Sequence, residues 1–358
     1  MKKLFVALSA ILVWTAIPAV SANAVSVGQS CARTTLGTRV STRINKKPVI
    51  VVCRIRAGRK QWIRAAVQTI TTTTTSTTST TSTTSTVPEP VINYSNAVDP
   101  NDPTLYTITI EGMQPRSYYL NVPPKYTPDT PVPLLLGFHG LGGSAKVFRE
   151  QSQIDLFTND ANVISVFPNG YGSTSGVENS WNAGTCCGLS RIQSIDDVKL
   201  VQVIIRDILQ KYTIDTKNIW AIGFSNGGMF SYQLACDLSG VITAIGVGAG
   251  VFTSRACSPA KPVSVIHIHG GLDDQVPFLG GGSFGTPDVE KSFRALNTYN
   301  QCSSMPLSGS SDSISSILLG NCSDGTEMKL VNYYDQTHNW TIFWTKEILR
   351  FLFAHPRK

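Results

Sequence analysis

The chain has 358 residues, room for one large domain or two smaller ones, and a formal net charge of +7. That sum hides two opposed parts: residues 25–70 carry 10 Arg and Lys with no Asp or Glu, while residues from 71 onward carry 18 basic and 23 acidic side chains. Beyond the first two dozen residues no segment is long and apolar enough to cross a membrane as a helix.

The N-terminus reads as a cleavable leader. Lys2 and Lys3 precede an apolar run from Leu4 to Val20, interrupted by Thr15 and Pro18, and Ala22-Asn23-Ala24 fits the small-x-small cleavage rule. Residues 1–24 are therefore expected to be removed, and the mature protein to be secreted or extracellular, with association to a cell wall as an option. Residues 25–70 form a small basic module. Pro48-Val49-Ile50-Val51-Val52-Cys53 has the character of a strand, and Cys31 with Cys53 is the expected disulfide, since the following linker isolates them. Such a bridge would contribute about 3 kcal/mol to a module this small. Its charge suits an anionic surface such as a cell-wall polymer or polysaccharide; the bland alternative is a solvated basic stalk. Nucleic acid is not an expected partner outside the cell. Residues 71–86 contain only Thr and Ser, and Val87-Pro88-Glu89-Pro90 stiffens the end, so 71–92 is an interdomain linker open to O-glycosylation. As a coil its Thr/Ser tract would span roughly 20–25 Å.

From residue 93 to 358 strand and helix signals alternate. Apolar segments at 105–110, 118–122, 133–138, 163–167, 219–223, 242–247, 263–269 and 329–334 read as strands, and 196–211, 225–236, 287–299 and 341–353 read as helices. Near-continuous apolar strands separated by helices indicate an α/β fold, a mostly parallel sheet covered on both faces.

One pentapeptide carries the chemistry. Gly223-Phe224-Ser225-Asn226-Gly227 fits G-x-S-x-G between an apolar strand and a helical stretch, the setting of the nucleophile elbow of serine hydrolases. A serine nucleophile needs a base, and the base a carboxylate to orient it. Of the 5 histidines, His338 lies in a polar loop between a strand and the last helix, where the base of this arrangement belongs. The acid should fall between serine and histidine in the chain, and Gly270-Gly271-Leu272-Asp273-Asp274 follows a strand end there; Asp273 is preferred and Asp274 is the alternative. The oxyanion hole is expected from the N–H of Asn226 and, in the Gly-rich loop His139-Gly140-Leu141-Gly142-Gly143, that of Leu141. Trp181, Trp340 and His139 are candidate substrate contacts, although packing serves equally well for the tryptophans. Asp196-Asp197 reads as a helix cap. The 8 cysteines suit disulfides in an exported chain. Cys302 with Cys322 would close a polar Ser-rich loop, while Cys186, Cys187, Cys236 and Cys257 stay unassigned. No C-x-x-C spacing occurs, so neither metal nor cofactor is expected.

Phe138-His139-Gly140, Ser180–Gly188 (SWNAGTCCG), Asp196-Asp197-Val198, Gly223–Met229 (GFSNGGM), His267–Pro277 and His338-x-Trp340 occur in order. Together they resemble secreted esterases of the polyhydroxybutyrate depolymerase and feruloyl esterase type, in the carbohydrate esterase 1-like branch of the α/β-hydrolases, over roughly residues 103–354. The resemblance implies an α/β-hydrolase fold with Ser225 as nucleophile, Asp273 as acid and His338 as base. The chain departs from it at Gly271, where threonine is usual, and at Asp335-Gln336-Thr337, where a glycine run is frequent. The N-terminal module resembles a two-cysteine unit of secreted bacterial proteins, here Gly28, Cys31, Cys53 and Trp62. The expected activity is hydrolysis of a carboxylic ester, a polyester or a feruloyl or acetyl ester of polysaccharide, through an acyl-enzyme, by a monomer. An acyltransferase with the same triad and an inactive cell-surface binding protein are the alternatives.

Overall fold

The computed structural model describes residues 92–172, 178–253, 257–303 and 307–358, together with the strands of residues 39–64 as backbone. The chain divides into two compact units, Met1–Val87 and Pro88–Lys358. In the first unit β1 (Arg39–Ile44), β2 (Lys47–Arg56) and β3 (Arg59–Arg64) form an antiparallel sheet in that order. The segment 48–53 lies within β2. Cys31, the expected leader and the Thr/Ser tract fall outside the described residues.

The second unit is built on an 11-stranded sheet. Its strands are β4 (Tyr94–Asp99), β5 (Asp102–Ile110), β6 (Arg116–Asn121), β7 (Val132–Phe138), β8 (Ile164–Pro168), β9 (Ile214–Phe224), β10 (Ala244–Gly248), β11 (Ser264–Gly270), β12 (Leu307–Ser310), β13 (Ile314–Leu319) and β14 (Met328–Tyr333). They lie in the order β12-β13-β14-β11-β10-β9-β7-β8-β6-β5-β4. The run from β8 to β14 through β7, β9, β10 and β11 is parallel, and antiparallel strands extend it at both edges. Eight helices accompany it among the described residues: α1 (Ala145–Ser152), α2 (Ile154–Asp160), α3 (Gly188–Ile192), α4 (Asp197–Lys211), α5 (Asn226–Asp237), α6 (Val289–Ala295), α7 (Asn297–Asn300) and α8 (Ile342–Phe353).

The apolar runs of the central strands reflect burial on both faces. Leu134, Leu136 and Phe138 of β7 join the core shared with α4 and α5, whereas Leu135 points the other way, into the core shared with Phe148 of α1 and Trp344, Ile348 and Leu352 of α8. Capping fixes where helices start. The side chains of Ser144, Asp196, Asp288 and Thr341 accept the N–H of Val147, Lys199, Lys291 and Trp344 at the head of α1, α4, α6 and α8. The helix expected over 287–299 is instead the pair α6 and α7, broken at Leu296. Disulfides join Cys302 to Cys322, as expected, and also Cys236 to Cys257 and Cys186 to Cys187.

Asp197 has a larger part than capping. Asp196 is the cap, while Asp197 turns inward and is buried. It accepts from Arg116 Nη2 at 2.9 Å and from the Asn182 N–H at 2.8 Å, and is hydrogen-bonded to the Ser190 hydroxyl. Arg116 in turn donates through Nε to the Asn169 carbonyl at 3.2 Å. One buried ion pair thereby ties β6, the start of α4 and the loops around 169 and 182. Removing one partner leaves an uncompensated buried charge, so Asp197→Ala is expected to cost about 3–5 kcal/mol, with Arg116→Met in the same chain recovering most of it. Urea unfolding of the single and double variants measures this; equal midpoints for wild type and Asp197→Ala would remove the pair's structural role.

Candidate functional site

The G-x-S-x-G segment forms a sharp turn at the C-terminal end of β9. Ser225 sits at φ 53° and ψ −119°, and α5 begins at the next residue. The glycines are there for space. A Cβ on Gly223 would run into the Gly227 carbonyl, and one on Gly227 into the carbonyl oxygens of Phe138 and His139. Ser225 is pinned by its own N–H to the Gly248 carbonyl at the end of β10, 2.8 Å away, and its carbonyl accepts the Met229 N–H at 2.9 Å.

The three expected catalytic side chains meet here. His338 Nε2 lies 2.9 Å from Ser225 Oγ, and His338 Nδ1 lies 2.7 Å from Asp273 Oδ2. Asp273 is buried, whereas the alternative, Asp274, is exposed and makes no contact with His338 among the described residues. Asp273 Oδ1 accepts the N–H groups of Gln275 and Val276 at 3.0 and 2.8 Å. Burial alone would raise the carboxyl's pKa; donors from His269, His338 and the Val276 N–H outweigh it and hold Asp273 well below the usual carboxylate range. With Asp273 ionised, His338 carries its hydrogen on Nδ1 and presents Nε2 as the acceptor of the Ser225 proton.

Backbone bonds stitch the acid loop to the histidine loop. Gly271 N–H donates to the Tyr333 carbonyl at 2.7 Å and Leu272 N–H to the Gln336 carbonyl at 2.9 Å. This explains Gly271, because a Cβ there would lie 2.8 Å from Tyr334 Cα. A threonine at this position requires a different approach of the two loops.

The oxyanion loop follows β7 and abuts the elbow: a Cβ on Gly140 would be 3.3 Å from Ser225 Cβ. Neither the Leu141 nor the Asn226 N–H makes a protein hydrogen bond among the described residues. Asn179 clamps the loop, accepting the Gly142 N–H at 2.8 Å and donating to the Gly143 carbonyl at 3.0 Å. The Asn226 side chain, which sequence reasoning passed over, exchanges two hydrogen bonds with the backbone of Trp181, at 2.7 and 3.1 Å.

Two expected substrate contacts are corrected by burial. Trp181 is fully buried, stacked on Phe230 at 5.0 Å and edge-on to Phe138 at 5.2 Å, and its indole N–H donates to the His139 carbonyl at 3.0 Å. It fastens the oxyanion loop to the elbow without reaching the surface. His139 is buried too; Nδ1 donates to the Gly140 carbonyl at 2.7 Å and Nε2 accepts the Gly170 N–H at 2.8 Å. Trp340 is half-buried, edge-on to Phe148 and Phe224 at 5.2 and 6.2 Å, and its indole N–H donates to Thr345 Oγ1 at 2.8 Å. It props the residue before the nucleophile from below. Leu141 and Leu272 are exposed beside the site. Sequence reasoning also left out Tyr232, His267 and His269, all fully buried behind Asp273; the i, i+2 spacing of the two histidines on the strand leading to the acid loop was the available signal.

Residues 121–316, more than half of the chain, match the protein family described as phospholipase/carboxylesterase. The chain belongs to this family. The matched segment holds the elbow and Asp273, and His338 follows it. Among curated proteins, this carboxylesterase relative is 30% identical over 203 residues to feruloyl esterase B of Piromyces equi, covering 53% of the chain and 37% of that enzyme. It is 28% identical over 159 residues to a bifunctional acetylxylan esterase/xylanase of Neocallimastix patriciarum, covering 44% of the chain and 22% of that enzyme. The chain thus spans well under half the length of these two relatives. An acetyl xylan esterase from Aspergillus awamori shares the fold, with a TM-score of 0.50, 13% identity, and coverage of 73% of this chain and 98% of that one.

Two buried histidines give the fold an acid-sensitive window. Burial, partly offset by the Gly140 carbonyl, pulls His139 down to about 4, and burial together with the neighbouring His269 holds His267 well below its ordinary value. Both bind fewer protons folded than unfolded, so the stability they leave intact is fully present above the unfolded value of about 6.5 and falls as pH drops through the window below it. Urea unfolding free energy is expected to decline from pH about 6.5 toward about 4, by up to about 1.4 kcal/mol per pH unit for each ring. A flat profile over that window would show that the rings take up protons in place.

Proposed function

We propose that the chain is a secreted serine esterase that cleaves acyl esters carried on polysaccharide, such as feruloyl or acetyl groups. The observation that carries this reading is the continuous hydrogen-bond line from Ser225 Oγ through His338 to Asp273, set on a strained elbow in a carboxylesterase family chain. The names of the two curated relatives support the acyl and carrier classes.

On this reading the reaction runs in two halves. Ser225 Oγ attacks the ester carbonyl carbon as its proton passes to His338 Nε2, and Asp273 stabilises the imidazolium. The developing oxyanion is assigned to the N–H groups of Leu141 and Asn226, donors of a kind worth several kcal/mol in the transition state. The C–O bond to the alcohol breaks as His338 returns the proton to it, leaving Ser225 acylated. Water then attacks the acyl carbon with His338 again as base, releasing the acid and restoring the hydroxyl. Exposed Leu141 and Leu272 offer apolar surface to the acyl group.

The leader pattern of residues 1–24 and the three disulfides of the described residues support export. We assign residues 25–70 the role of holding the catalytic unit on an anionic polymer, on the strength of 10 basic and no acidic side chains.

Ser225→Ala is expected to abolish turnover of p-nitrophenyl acetate and labelling by a fluorophosphonate, and Asp273→Asn to lower kcat by about 10³–10⁴-fold by presenting the wrong imidazole tautomer. Turnover by Ser225→Ala at the wild-type rate would end the reading. Methyl ferulate and acetylated xylan should be hydrolysed in preference to a polyhydroxybutyrate film; the reverse preference would place the substrate among polyesters. Deleting residues 25–86 should reduce hydrolysis of polymer-borne esters while sparing p-nitrophenyl acetate, and equal loss on both would deny the module a targeting role.

A further inference from the structure

Behind Asp273 stands a row of buried polar groups that the three-residue mechanism leaves unused. His267 and His269 project from the same face of β11, two residues apart, and both are fully buried. His269 Nε2 lies 2.7 Å from the Val276 carbonyl oxygen and 3.3 Å from Asp273 Oδ2. Both are acceptors, so this nitrogen carries the hydrogen. In a neutral ring Nδ1 is then an acceptor, and the group that faces it is His267 Nε2, 3.0 Å away. His267 must therefore donate through Nε2 and accept at Nδ1, where the Tyr232 hydroxyl lies at 2.8 Å. With both rings neutral the donors run one way, from Tyr232 through His267 to His269, whose Nε2–H bonds the Val276 carbonyl of the acid loop and lies 3.3 Å from the carboxylate.

The Val276 carbonyl shares the His269 Nε2 hydrogen with Asp273. The titratable groups facing the two rings are Tyr232 from α5, each other on β11, and Asp273 from the acid loop, with His338 beyond it. The remaining ring contacts are apolar: Phe293 of α6 lies against His267 and Phe278 against His269. Burial holds the Tyr232 hydroxyl protonated and His267 neutral, the two states that the chain of donors needs.

We infer that Tyr232, His267 and His269 act as a directional hydrogen-bond chain that fixes the orientation and charge of Asp273, with His269 as the positioning residue next to the carboxylate. The inference rests on the proposed Ser225–His338–Asp273 triad. Asp273 Oδ1 accepts two backbone N–H groups, and Oδ2 lies 2.7 Å from His338 Nδ1 and 3.3 Å from His269 Nε2. Removing the His269 donor frees the carboxylate to pivot about Oδ1 and concentrates its charge on His338. The carboxylate then holds the His338 proton more firmly, and the base becomes available only at higher pH. Because Tyr232 belongs to the helix that starts at the nucleophile, the chain also ties α5 to the acid loop.

The test uses the full chain as His269→Phe, His269→Gln, Tyr232→Phe and Ser225→Ala, with p-nitrophenyl acetate as substrate and kcat, KM and the acid limb of the kcat/KM profile as readouts. His269→Phe is expected to lower kcat by about 10–100-fold with KM within about twofold, and to move the acid limb up by about half a pH unit or more. His269→Gln, which keeps a donor near the place of Nε2, should restore most of both. Tyr232→Phe should shift both in the same direction by less. A folded His269→Phe enzyme with kcat and acid limb unchanged overturns the inference, since a purely structural histidine would alter stability alone. If His269→Phe does not fold, Tyr232→Phe decides: a raised acid limb supports the chain, and an unaltered profile overturns it. Ser225→Ala separates the two levels. Loss of turnover there with His269→Phe unaltered sinks the positioning chain only, whereas turnover without the Ser225 hydroxyl sinks the triad itself.

Discussion

Ser225 is held at φ 53° and ψ −119°, a region that a residue with a side chain enters only at a cost of about 1–3 kcal/mol, and the rest of the site is arranged around that torsion pair. It lifts the hydroxyl off the end of β9 while the next residue enters α5. The strain persists because the surroundings over-determine it. Gly223 and Gly227 let the turn close against itself and against the end of β7, and the Ser225 N–H is tied to Gly248 on the neighbouring strand. The same closeness that excludes any Cβ at Gly227 sets the loop after β7 beside Ser225.

Around the elbow, the parts that must hold still are joined by polar groups inside an apolar shell. Trp181 bonds the His139 carbonyl and the Asn226 amide at once, His139 bonds the loops at Gly140 and Gly170, and the Arg116–Asp197 pair anchors the segment that carries Trp181. On the other side, the acid and histidine loops share backbone hydrogen bonds, with Tyr232, His267 and His269 packed behind them. Buried polar groups are costly unless satisfied, and when satisfied they admit few alternative arrangements. A catalytic constellation gains from that rigidity because a small misplacement of a proton acceptor is expensive in rate.

The parallel strands and the longer helices were legible in the sequence because double-sided burial writes continuous apolar runs and caps mark helix starts. β9 extends back to Ile214 through Asp215, Thr216, Lys217 and Asn218, whose polarity masked the strand. α1 and α2 escaped notice because both are short, and Gln153, in the left-handed region, separates them without a glycine or proline to announce it. β12 is the edge strand and β13 its neighbour, both mostly half-buried or exposed, and they carry no strong alternation. Ser225 was marked by its G-x-S-x-G motif and His338 by its loop after the last strand, while chain order narrowed the acid to Asp273 or Asp274. His139 was misread as a substrate contact, and of the two roles open to Trp181 packing is the one observed, because a motif tells which residues lie near a site but not which way they face. The buried histidine chain was hidden for a related reason: its meaning lies in Tyr232, 35 residues away in sequence and 2.8 Å away in space.

Acylation of Ser225 is the step on which the proposed chemistry turns. Rapid acid quenching of the full chain during turnover of p-nitrophenyl acetate, followed by mass spectrometry of its peptides, tests it most directly. One acetyl group is expected, on Ser225, accumulating with an initial burst of p-nitrophenol and disappearing as substrate runs out. Turnover with no acyl adduct, or with the acetyl group on a different side chain, would contradict it.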